Sequence, residues 1–268
     1  MWHWWSGLSR RRRGLVVAVA VALAAAAVAV LVPLLAEDGD ETPGAAPPDR
    51  PGPVLLVPGY GGSRESLSTL AGRIRRTGRE AQVLTLPGDG TGDLRAQARV
   101  LARAARDAVD AGAPSVDVIG FSAGGVVARL WVATGDGARI ARRVVSLGSP
   151  LHGTRLASSG GVLAPGACPV ACQQLAPGSA LLAGIGGDPP VDWLSVWTEN
   201  DRTVLPPDSA RLPGAVNVPL QDVCPDAVVV HGQLPVDPLV TGLVLRALGT
   251  GPLTEPDPSD CAELRAGS

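Results

Sequence analysis

Lysine is absent: all 23 basic residues in this 268-residue chain are arginine. A Walker-type phosphate loop needs its lysine and a Schiff-base mechanism needs an amine, so both are excluded. Histidine is scarce, with three residues in all, which makes any histidine-dependent chemistry easy to trace. Charge is missing unevenly. No acid precedes Glu37, whereas four arginines stand together at 10–13; from Glu37 onward 19 arginines face 25 acids, a net charge of −6. An acidic body argues against a nucleic-acid partner, because such binding rests on neutralising phosphates with cations.

Residues 14–36 carry no charge at all. As a helix rising about 1.5 Å per residue, this run is roughly 34 Å long and spans a hydrocarbon core of about 30 Å. The preceding arginines hold their end in the cytoplasm, so everything after Ala36 is expected to be exported. The run is long for a signal peptide, and Leu34-Leu35-Ala36 puts a large residue where cleavage prefers a small one. Residues 1–36 therefore read as a basic segment plus a transmembrane anchor, with a cleaved signal peptide and a secreted domain as the alternative. Residues 37–52 are acidic and proline-rich and bury too little apolar surface to order themselves, so they read as a tether. The remaining 53–268, in a chain that is 46% hydrophobic, suffice for one sizeable core.

Val54-Leu55-Leu56-Val57 is a continuous apolar run between prolines, the pattern of a strand buried on both faces. Further strands are expected over 81–86, 116–120, 143–147, 191–198, 215–220 and 227–230. Helices are expected over 64–77, 93–111, 126–132 and 236–248. In the second helix Leu94, Ala98, Leu101, Ala105 and Val109 share one face, with arginines opposite. This alternation predicts an α/β fold with a mostly parallel central sheet flanked by helices. A Gly/Ala/Pro-rich insertion over 149–190 falls where pockets are built, beyond the carboxyl ends of strands.

The chemistry centres on Gly120-Phe121-Ser122-Ala123-Gly124. Strand, Gly-x-Ser-x-Gly and helix follow in the order that a nucleophile elbow requires, with small residues two positions either side of a serine in a strained turn. Ser122 is the candidate nucleophile, and the Ala123 amide at the helix start is a candidate oxyanion donor. A second donor is expected from Tyr60 in Pro58-Gly59-Tyr60-Gly61-Gly62, just after the first strand. A serine hydroxyl needs a base. His3 lies before the apolar span, and His152 precedes every acid in the later strand-end loops, which leaves His231. Asp201, just past the strand ending near Thr198, is the chosen orienting carboxylate, with Glu199 its main competitor. Trp131, Trp193 and Trp197 are more simply core residues than an acyl site.

Val57–Gly62, Asp117–Gly125, Ser146-Leu-Gly-Ser-Pro-Leu-His-Gly-Thr154, Glu199-Asn-Asp-Arg-Thr-Val204 and His231-Gly232 together resemble the small bacterial triacylglycerol lipases and esterases of the α/β-hydrolase superfamily. The resemblance covers about 53–248. It implies an α/β-hydrolase fold and hydrolysis of carboxylic esters or lipids through an acyl-enzyme, with Ser122 as nucleophile, His231 as base and then acid, Asp201 as its orienter, and Tyr60 and Ala123 as oxyanion donors. Pro58 and Phe121 stand where many of those lipases carry histidine, at positions expected to touch the acyl pocket. The same triad would serve an acyltransferase or amidase, and a non-catalytic surface-binding protein of this fold is the contrasting class.

Four cysteines in an exported domain favour disulfides. Of the three possible pairings, Cys168–Cys172 and Cys224–Cys261 are preferred: the first ties a tight loop in the insertion, the second pins the tail near His231. Cys-x₃-Cys without a nearby histidine is a poor metal site, so neither metal nor cofactor is expected.

Overall fold

The computed structural model describes residues 11, 19–23, 46–163 and 168–267, without the side chains of 160–163. The chain divides into two units, 1–43 and 44–268. In the first, the described residues are helical. Among the described residues no helix is long and apolar enough to cross a membrane; most of the expected span and the tether up to residue 45 lie outside them.

The second unit is built on six strands: β1 (Val54–Val57), β2 (Ala81–Val83), β3 (Val116–Phe121), β4 (Ala141–Leu147), β5 (Asp192–Trp197) and β6 (Val216–Pro219). Their order is β2-β1-β3-β4-β5-β6, and every pairing is parallel. Strand side chains alternate between faces, so β1, like β3, β4 and β5, feeds both layers. Leu55 and Val57 join α2 (Leu94–Asp110) and α3 (Ala123–Thr134) in one core, through Leu94, Leu101, Val126, Val127 and Trp131. Val54 and Leu56 join α1 (Glu65–Arg76) and α4 (Pro238–Ala247) in the other, through Leu67, Leu70, Ile74, Val240 and Leu243. Burying each such aliphatic side chain contributes about 1.5–3 kcal/mol, which is why continuous apolar runs become central strands. On α2 the expected face is buried except for Val109 near the helix end. Trp131, Trp193 and Trp197 are buried in the interior.

The expected strand over 227–230 is a loop. Its alternation is real, since Ala227 and Val229 are buried while Val228 and Val230 are exposed. Among the described residues it pairs with no strand, however. Side chains take its carbonyls instead: Gln221 and Asn200 donate to Ala227, and Thr198 donates to Val229. Both preferred disulfides are present, Cys168–Cys172 and Cys224–Cys261.

At the amino ends of the strands Asp117 is fully buried and accepts from Arg142 Nε (2.9 Å), Arg142 Nη2 (2.5 Å) and Arg79 Nη2 (2.7 Å). The arginines' other N–H groups reach main-chain carbonyls at both edges of the domain. Arg142 donates to Pro48, Leu248 and Gly249, Arg79 to Gly52 and Leu248, and Arg143 to Ala247, Gly249 and Gly251. Residues 48–52, expected as the end of the tether, are thereby fixed to the folded unit.

Candidate active site

β3 delivers Ser122 into a backbone conformation that side chains rarely adopt, φ 53° and ψ −123°; among the described residues no other non-glycine has positive φ. Such a residue costs about 1–3 kcal/mol and persists only where its surroundings fix it. The surroundings here leave no room for alternatives. A Cβ on Gly120 would lie 2.5 Å from Gly125 Cα, and one on Gly124 would overlap the Val57 carbonyl oxygen. The Ser122 amide donates to the Leu147 carbonyl (2.8 Å), stitching the turn to β4. Gly125, which the sequence motif does not mark, is equally constrained, because its Cβ would overlap the Ser149 hydroxyl.

Asp201 lies four residues beyond β5, with its side chain 1% exposed. Oδ1 accepts the amides of Thr203 (2.8 Å) and Val204 (2.9 Å), while Oδ2 lies 2.6 Å from His231 Nδ1. His231 opens a short 3₁₀ turn, His231–Gln233, after the 224–230 loop. Its Nε2 lies 3.0 Å from Ser122 Oγ. A carboxylate only accepts, so the imidazole proton belongs on Nδ1 and Nε2 is left to accept from the serine hydroxyl. Ser122, His231 and Asp201 thus form one continuous hydrogen-bonded row.

The competitors are placed elsewhere. Glu199 is exposed, and its amide donates to Gln221. His152 holds the Ser209 carbonyl with both its amide and its ring (3.1 and 3.2 Å). Gly59 packs against the elbow, where a Cβ would come within 3.0 Å of Ser122 Cβ. That approach brings the next residue, Tyr60, to the serine. Ala123 opens α3, so its N–H is among the donors that a helix leaves without an intrahelical acceptor.

Beside Ser122 lies a pocket of about 180 Å³ lined by Tyr60, Pro150, Leu156, Leu175, Cys172 and Val204, among others. Its walls are mainly apolar. Wider grooves of about 600 Å³ occur on the flanks but do not reach Ser122. Pro58 and Phe121 do not line the pocket as expected. The Phe121 ring packs on the His231 imidazole instead, with centroids 5.1 Å apart, and the Pro58 carbonyl faces Gly124. Thr154 is a residue that sequence reasoning passed over: its hydroxyl donates to the Thr203 carbonyl and accepts the Leu205 amide, both at 3.0 Å, and its amide donates to Leu175. It fastens two walls of the pocket together. Its only signal was its place at the end of the Ser149–Thr154 run.

The sequence matches no family model and no curated protein sequence. Solved structures do match. Lipase B of Aspergillus fumigatus superposes with a TM-score of 0.65 at 20% identity, over 80% of this chain and 56% of that one; the chain therefore spans little more than half of that protein. A metagenome-derived lipolytic enzyme gives 0.58 at 17% identity, over 76% and 94%. The mature form of a Bacillus licheniformis lipase gives 0.54 at 19% identity, over 67% and 86%. With its parallel sheet and these likenesses, the chain shares the fold of these solved lipases and lipolytic enzymes.

Proposed function

We propose that this protein is an exported serine hydrolase that cleaves carboxylic esters through an acyl-enzyme. The observation that carries this reading is the row Ser122–His231–Asp201, with contacts of 3.0 and 2.6 Å, at the mouth of an apolar pocket. Ser122 Oγ attacks the ester carbonyl as His231 Nε2 takes its proton. The amides of Ala123 and Tyr60 receive the developing oxyanion, a contribution of about 10²–10³ in turnover per donor. His231 then returns the proton to the leaving alcohol, and water releases the acid by the reverse sequence. Asp201 holds the imidazole in the useful tautomer and stabilises its charged form. The three structures named above, described as lipases or lipolytic enzymes, support the substrate class, as does a mainly apolar pocket with room for an acyl chain. The two disulfides support an oxidising compartment outside the cytoplasm. Anchoring through residues 14–36 rests on the sequence alone.

The test is hydrolysis of p-nitrophenyl esters from acetate to laurate by the purified protein and by Ser122→Ala. Turnover by the wild type and none by the variant is expected. A folded wild type inert on every ester would remove the hydrolase reading.

A further inference from the structure

Arg129, two turns along α3 from the elbow, is only 8% exposed. A buried cation ordinarily has an acid to face. Elsewhere in this molecule that holds: Arg142 is on Asp117 and Arg143 is near Asp192. Arg129 has no carboxylate within ion-pair distance among the described residues. One of its N–H groups, on Nη1, donates to the Leu151 carbonyl (2.9 Å), and its other donors have no acceptor among the described residues. Burial, with nothing to offset it, pushes the Arg129 pKa below its ordinary value.

The side chain opens on a cleft of about 310 Å³ that is separate from the pocket at Ser122. The cleft's walls are mainly Val132, Ala133, Ile185, Pro189 and Trp193. The one carboxylate among the cleft's described lining residues, Asp188, is exposed and directed at Gly214, where an added Cβ would meet it at 2.7 Å. One guanidinium with free, planar donors suits a single monoanion, and a carboxylate fits its fork. The apolar walls suit a hydrocarbon tail. At roughly 30 Å³ for each water-sized group, such a cleft holds about ten heavy atoms, the size of an eight-carbon acid.

We propose that the Arg129 cleft is a binding site for an amphiphilic monocarboxylate, a short or medium-chain fatty acid, distinct from the site of chemistry. Ester hydrolysis as proposed above would release such acids, so this second site would sense the product. The binding itself does not depend on that activity.

The probe is 8-bromooctanoate, with 8-bromo-1-octanol as its uncharged counterpart, titrated into the full-length protein while tryptophan emission is followed. Trp193 lines the cleft, whereas no tryptophan lines the pocket beside Ser122. Saturable quenching by the acid is expected, at least tenfold weaker for the alcohol. Arg129→Met should lose it. Ala133→Glu, an exposed position at the cleft mouth, should lose it too while keeping the Arg129–Leu151 bond and wild-type circular dichroism. Equal quenching by acid and alcohol, or undiminished quenching in a folded Ala133→Glu, would overturn the proposal. No turnover enters this readout, so its failure leaves the hydrolase reading standing, and an inert enzyme leaves this site standing.

Discussion

At the carboxyl ends of the strands, Asp201 is buried and gives one oxygen to His231, whose far nitrogen meets a serine at an open pocket. At the amino ends, Asp117 is buried just as deeply and is gripped by Arg142 and Arg79, which hold the main-chain carbonyls of Pro48, Gly52, Leu248 and Gly249. The upper carboxylate is paired with an imidazole whose other nitrogen reaches the serine, the lower with guanidiniums whose remaining donors hold main-chain carbonyls. The same buried acid thus serves reaction at one end and closure of the fold at the other. What separates the two is the partner's chemistry and its access to solvent.

Substitutions at the two ends should therefore separate activity from stability. The largest effect is expected at the top: Ser122→Ala and Asp201→Asn should each lower kcat for a p-nitrophenyl ester by about 10⁴-fold or more, with little change in the urea midpoint. Next comes Asp117→Ala, which strands two arginines. It should cost about 3–5 kcal/mol in urea unfolding, while the folded fraction keeps turnover within a few fold. If Asp117→Ala abolished turnover at full stability, the division of labour would be wrong.

The disulfides give a smaller contrast of the same kind. Removing Cys224–Cys261, which closes a separation of 37 residues, should cost about 4 kcal/mol in the chain-entropy model. Removing Cys168–Cys172, with a separation of 4, should cost about 2 kcal/mol. Cys172 lines the pocket, so the second pair's loss should appear chiefly as an altered acyl-length profile. Smallest of all, Phe121→Leu keeps an apolar group against the His231 ring and should change kcat by less than about tenfold, read from the same ester assay; a larger loss would make that ring contact part of the reaction.

How far the sequence spoke depended on the range of the signal. The strand at 54–57 was legible because burial on both faces leaves an unbroken apolar run, and those expected at 116–120 and 191–198 because apolar, largely β-branched or aromatic residues dominate them despite Asp117, Asp192 and Ser195. The elbow was legible because its constraints fall within five residues. The loop at 227–230 was misread: β-branched residues describe an extended chain, but only a neighbouring ladder makes it a strand, and none is there. The Asp117–Arg142 pair and the Thr154 hydroxyl's reach to Thr203 join residues 25 and 49 positions apart, and no local pattern announces either. The packing of Phe121 on His231 was hidden for the same reason.

Asp201 divides its two oxygens between His231 and the amides of Thr203 and Val204, which form one side of the pocket. A mutational library aimed at substrate range would meet this as an asymmetry. Changes at Leu156 or Leu175 alter the shape of the site alone, whereas changes at 203 and 204 pull on the carboxylate that steers the imidazole. New specificities should therefore emerge readily from the insertion side, and those drawn from the 203–204 side should carry losses of rate with them.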